Sequence, residues 1–163
     1  MLTLLRDRQF RVFWLASASS DLGMITYLTV HGWLALQVSD SPFWVGATAG
    51  MSGLTLTLFA VLGGVLVDRF VRRRLVVAAM ALRASMAIVL AVLILSGDIR
   101  LWHVLVAASI EGVVVSVQVP AMMTLTLDIA GRGRLMSAVA TRFAAMLIMG
   151  IVAPLVAGVV VSR

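Results

Sequence analysis

The chain has 163 residues, of which 62% are hydrophobic and 12% charged, with a formal net charge of +6 and a mean hydropathy of +1.11. Soluble domains use roughly 45 to 50% apolar and 25% charged residues, so a water-soluble fold of this length has too little polar surface to cover itself. Cysteine is absent, which excludes a disulfide framework and a thiolate metal site.

In chain order, five apolar segments are long enough to cross a hydrocarbon core of about 30 Å, which takes roughly 20 helical residues. They are expected at 13–36, 43–67, 75–96, 101–127 and 135–161. The first is too long for the apolar core of a cleavable signal peptide and is expected to stay as an anchor. The breaks fall at Ser39-Asp40-Ser41-Pro42, at the arginine-rich stretch after Asp68, at Gly97-Asp98-Ile99-Arg100, and from Asp128 through Gly131 to Arg134. Each carries turn formers or charges. Connections this short imply antiparallel neighbours, and the fold class is an all-α membrane helical bundle with five transmembrane helices in a single domain.

All thirteen basic residues are arginine. They sit between and inside apolar segments and form no solvent-facing stripe, so the partner they suit is anionic lipid and not nucleic acid. With the N-terminus in the cytoplasm, Arg6, Arg8, Arg11, Arg69, Arg72, Arg73, Arg74, Arg132 and Arg134 lie inside, against Arg100 and Arg163 outside. Positive residues are retained on the cytoplasmic side, and five crossings then put the C-terminus outside. Trp14, Trp33, Trp44 and Trp102 fall near the interfaces expected for aromatic anchors.

Small residues mark expected helix contacts. Gly46 and Gly50 form a GxxxG pair on the second segment, and Gly150, Pro154 and Gly158 recur every four residues on the fifth. Pro120 and Pro154 each remove a helix hydrogen bond.

Ionisable side chains within apolar segments are costly, and each is a functional candidate. Asp21, Arg83 and Arg142 lie roughly 9 to 12 Å from the inner ends of their segments, and Glu111 about 13 Å from an outer end. Glu111 and Gln118, seven residues apart, share one face of the fourth helix, as residues facing a cavity would. Asp21 or Glu111 is a partner for Arg142, either as a structural ion pair or as a substrate or proton site. Arg83 is expected to reach the inner headgroups or a loop carboxylate. His31 is a candidate for proton coupling or for an interfacial hydrogen bond. His103, beside Trp102, suits an aromatic belt. The two histidines give no zinc spacing, nucleotide-binding and metalloprotease motifs are absent, and no catalytic residue or cofactor is expected.

Gly64-Val65-Leu66-Val67-Asp68-Arg69-Phe70-Val71-Arg72-Arg73-Arg74-Leu75 resembles motif A of the major facilitator superfamily, G-x-L-x-D-R-x-G-R-R, which joins transmembrane helices 2 and 3. Gly64, Leu66, Asp68, Arg69, Arg72 and Arg73 match, and Val71 replaces the second glycine. The stretches Phe10 to Leu15, Ser39 to Val45 and Pro120 to Ala138 resemble the drug and siderophore exporter branch, with enterobactin exporters among its members. Residues Gly150 to Gly158 resemble the antiporter motif C of helix 5, with Ala153 where that motif has glycine.

The resemblance implies the N-terminal half of a facilitator. Asp68 and Arg72 would join a charge relay gating the cytoplasmic side, and Asp21, Glu111, Gln118 and Arg142 would be candidate pathway residues. Helix 3, with Arg83, would be peripheral. Such transporters bind substrate between two six-helix halves. Five segments imply a homodimer or a separate C-terminal half as partner, in the cell inner membrane, exporting a small amphipathic solute. The alternative is a non-transporting subunit or scaffold, or a truncated remnant of a longer transporter.

Overall fold

The computed structural model describes residues 7–161. Five long helices account for nearly all of them: α1 Arg8–Ser39, α2 Pro42–Arg69, α3 Arg72–Ser96, α4 Leu101–Ala130 and α5 Leu135–Val161, with one 3-10 turn at Arg132–Arg134. No strand occurs among the described residues. Arg6 and Arg163, both used in the charge asymmetry, lie outside them.

The helix ends follow local chemistry. Pro42 occupies the first turn of α2, where its missing N–H costs nothing. Gly97 ends α3 in the left-handed region at φ 76°, donating its N–H to the Ile94 carbonyl while Asp98 donates to that of Leu93 at 3.1 Å. Gly131 ends α4 at φ 71°, and its N–H bonds the Leu127 carbonyl at 2.9 Å. At the start of α4 the Arg100 N–H donates to His103 Nδ1 at 3.0 Å, and the His103 N–H returns a 3.0 Å bond to the Arg100 carbonyl. His103 therefore caps a helix, with its ring packed on Trp102 at 3.7 Å between centroids.

Polarity is inverted relative to a soluble domain. Ser17, Ser20, Asp21, His31, Thr48, Glu111, Gln118 and Thr141 are buried, while Val61, Leu95, Met136 and Ile151 are exposed, Leu95 to 87%. Water punishes that arrangement and hydrocarbon rewards it, because lipid satisfies no polar group and repels no apolar one. By length and hydropathy, Pro42–Arg69, Arg72–Ser96, Leu101–Ala130 and Arg132–Gly158 are able to cross a membrane. Among the described residues four helices meet that criterion, where five spans are expected from the sequence. At 32 residues α1 is long enough, but Ser17, Ser19, Ser20, Asp21 and His31 interrupt its apolar run.

The chain forms two compact units, one of residues up to Thr29 and from Met123 onward, the other Val30–Met122. In the first, α1 buries Phe10, Phe13 and Ser17, spaced three and four apart on one face. From α5 it buries Ala138, Thr141, Ala145, Ala153 and Ala157. In the second, α3 buries Val76, Ala79, Arg83 and Leu90 on a single stripe. Leu34, Ala35 and Val104 form a core at one end of this unit, flanked by Val38, Val45 and Ile99.

Within the second unit α2 and α4 approach closely at two glycines. A methyl group at Gly112 would collide with the Ser52 carbonyl and the Thr55 hydroxyl, and one at Gly63 with the Ser116 carbonyl. Both contacts advance in the same direction along the two helices, so α2 and α4 run parallel. The glycines singled out in the sequence lie elsewhere: Gly46, Gly50, Gly150 and Gly158 are exposed, and a methyl group on any of them would meet nothing within 4 Å. On α5 the buried face is built from alanines, and Pro154 is exposed with the glycines.

Candidate functional site

In the second unit, Glu111 of α4 and Arg83 of α3 form a two-pronged ion pair. Arg83 Nη2 donates to Glu111 Oε1 at 2.7 Å, and Nε reaches Oε1 at 3.1 Å and Oε2 at 3.0 Å. The pair is buried, with Arg83 at 7% exposure and Glu111 at 1%. The planar guanidinium meets both carboxylate oxygens at once, the geometry in which an ion pair best offsets the loss of water.

This arrangement corrects the expectation for Arg83, which meets Glu111 of α4 and neither headgroups nor a loop carboxylate. Helix α3 is tied to α4 through its buried arginine. Gly112 follows Glu111 directly, so the α2–α4 contact and the α3–α4 ion pair meet at one level of α4. Further along that helix Gln118 is buried on the face of Glu111, two turns away, and Ser116 is buried as well. Half of the most apolar stretch of α4 is buried, against 11 to 17% in the other three apolar helices. That makes α4 the most enclosed of the four.

In the first unit, Asp21 of α1 and Arg142 of α5 attract one another electrostatically. Thr141, the neighbour of Arg142, accepts a 3.2 Å hydrogen bond at its backbone carbonyl from Trp14 Nε1. Trp14 thereby holds α1 against α5 about two helical turns before Asp21, and the Ser17 hydroxyl between them bonds the Phe13 carbonyl at 2.9 Å. The tryptophan, read from the sequence as an interfacial anchor, is a helix-to-helix clamp.

The arginine-rich turn is tight. Phe70 and Val71 alone separate α2 from α3. The Phe70 N–H bonds the Leu66 carbonyl at 2.9 Å. Val71 sits at φ −65°, ψ 110°, an extended conformation open to any residue, and the turn here has no need of glycine. Asp68 and Arg69 are exposed in the last turn of α2, Arg73 is exposed in the first turn of α3, and Arg72 is half-buried. Gly64, half-buried, precedes this group by one turn. Asp68 makes no ion pair among the described residues. The described residues hold no cluster of three or more His, Asp or Glu side chains able to bind a metal.

A model of the transmembrane secretion effector family, of major facilitator type, matches residues 1–163. The chain belongs to this family. Neither a curated protein nor a solved structure matches the chain. Membership in a facilitator-type family makes this a multi-span membrane protein of transporter kind, in agreement with its apolar helices. The family points to a transporter in preference to an enzyme.

Proposed function

We propose that the protein is an exporter-type facilitator module of the cell inner membrane that moves a small amphipathic solute. The observation that carries this reading is the Arg83–Glu111 pair, two opposite charges enclosed within an apolar helical assembly. Charges at such depth are retained where they serve a pathway or its conformational states. Gln118 in the second unit, and Asp21 with Arg142 in the first, are the proposed solute-facing groups. In this reading α1 is a fifth span, with its buried serines and Asp21 turned from lipid and the N-terminus in the cytoplasm.

The module acts with further helices, supplied by a second copy or by another half. Two features favour this: the exposed Asp68 at the motif A turn, and the open glycines Gly46, Gly50, Gly150 and Gly158. Small residues that no helix covers allow another helix close approach. The same glycines support the second reading, a scaffold subunit that binds other helices without transport.

Reconstitution into liposomes loaded with an amphipathic dye tests the proposal. Efflux above that of empty liposomes is expected; a folded protein giving none overturns transport by this chain. Its size in nanodiscs separates the readings, since a two-fold assembly favours transport and a stable monomer favours the scaffold.

A further inference from the structure

The first two turns of α3 hold an open concavity of about 550 Å³ lined by Val71, Arg73, Arg74, Val77 and Ala78. Arg73 and Arg74 are both exposed, and neither makes an ion pair among the described residues. Val77 and Ala78 lie four residues beyond Arg73 and Arg74, and so stand directly next to them on the helix surface. The lining therefore changes, within one helical turn of about 5 Å, from two guanidinium groups to an apolar strip. From that strip onward α3 is a membrane-crossing helix, the most apolar of the four, with a hydropathy of 2.3.

Charge above and hydrocarbon below is the order of a phospholipid. A guanidinium pairs with phosphate through two parallel N–H bonds, and an adjacent apolar groove receives the upper acyl chain. Anionic leaflets draw basic side chains at the membrane surface by about 1 kcal/mol each. We propose that this concavity binds an anionic phospholipid, its phosphate held by Arg73 and Arg74 and its acyl chain lying along Val71, Val77 and Ala78. The inference rests on α3 spanning a bilayer and not on transport, so it stands or falls apart from the exporter reading.

The test is native mass spectrometry of the full chain in detergent, titrated with phosphatidylglycerol or phosphatidylcholine, with helicity followed by circular dichroism. Phosphatidylglycerol should bind the more tightly. The double variant R73A/R74A should lose about 30-fold in affinity for it, the factor that two surface arginines contribute, and less for phosphatidylcholine, whose choline offsets the phosphate charge. The variant R73K/R74K keeps the charge and should retain preference for the anionic lipid. If R73A/R74A loses helicity, A78W takes its place: it fills the groove with both arginines intact and should also lose binding. The control R132A/R134A removes an equally exposed pair and should leave affinity unchanged.

Three outcomes overturn the proposal. Equal binding of the two lipids does so, as does an equal loss in R132A/R134A and R73A/R74A, which means general surface charge. Displacement of phosphatidylglycerol by millimolar inorganic phosphate does so too, since the site then takes the free anion.

Discussion

Arg83 and Glu111 are joined by a 2.7 Å bond at one prong and by bonds near 3 Å at the other, with both side chains withdrawn from the surface. Breaking such a pair from one side leaves a buried charge without a counter-charge, at a cost of about 3–5 kcal/mol. Glu111→Leu and Arg83→Met are each expected to destabilise the protein by that order. Replacing both with these apolar residues should recover most of the loss, because no lone charge remains. Denaturant-induced loss of helicity in detergent measures this. A double variant as unstable as the worse single one would mean that the loss comes from the missing ion pair itself and not from a lone buried charge. If the pair also serves transport, the stable double variant should fold and yet carry no flux.

The glycines of α2, α4 and α5 yield predictions of opposite sign. At Gly63 and Gly112 an added methyl meets backbone oxygen on the facing helix, so Gly63→Ala and Gly112→Ala should each destabilise, by about 1–3 kcal/mol if the helices move apart. At Gly46 and Gly150 it meets nothing, and alanine is better than glycine inside a helix by up to about 1 kcal/mol. Gly46→Ala and Gly150→Ala should therefore be neutral or mildly stabilising in the isolated chain. Thermal melting of the four variants in one detergent decides it. A loss at Gly46 or Gly150 in the assembled protein but not in the monomer would locate the contact with a further helix.

The contrast between these glycines and the ion pair shows what the sequence makes legible. Helix positions follow from apolar runs and their breaks, since Pro42, Gly97 and Gly131 act locally. Which helices touch does not. A GxxxG pair states that close approach is possible, not that a neighbour is there, so Gly46 and Gly50 outshine the isolated Gly63 and Gly112 in the sequence although only the latter pack. Depth was readable for Arg83 and Glu111, at about 12 Å from the inner and 13 Å from the outer end. Across a 30 Å core that leaves a gap of about 5 Å, within reach of an arginine side chain. Depth leaves both Asp21 and Glu111 open as partners of Arg142, because it carries no information on which helices are neighbours. The role of Trp14 was hidden for a similar reason: its partner is a backbone carbonyl 127 residues away, which no side-chain pattern announces.

Val71 stands where the motif has glycine, and the structure gives it an extended conformation. Val71→Gly should accordingly bring no relief. It should cost about 0.5–1 kcal/mol by enlarging the freedom of the unfolded chain. Thermal or chemical unfolding in detergent would register this. A gain in stability would mean that the turn is strained by valine and that the glycine of the motif answers a need of the backbone.

Asp68 lies in the last turn of α2, where the helix dipole disfavours a negative charge by about 0.3–1 kcal/mol. Nothing in α2 itself accounts for an acid there, and no ion pair among the described residues offsets it. If its role is to meet another part of the assembled transporter, Asp68→Asn should leave the isolated chain as stable as before, or slightly more so, and yet abolish dye efflux. Orientation should be unaffected, because the arginines around the loop and not the aspartate set it. The chain has no cysteine, so a single cysteine placed at Gly133 reports the side of the membrane through an impermeant thiol reagent. It should stay unlabelled from outside in both the parent and the Asp68→Asn protein. Full efflux in a correctly oriented Asp68→Asn protein would remove the gating role, and reversed labelling would show that lost efflux came from topology and not from the gate.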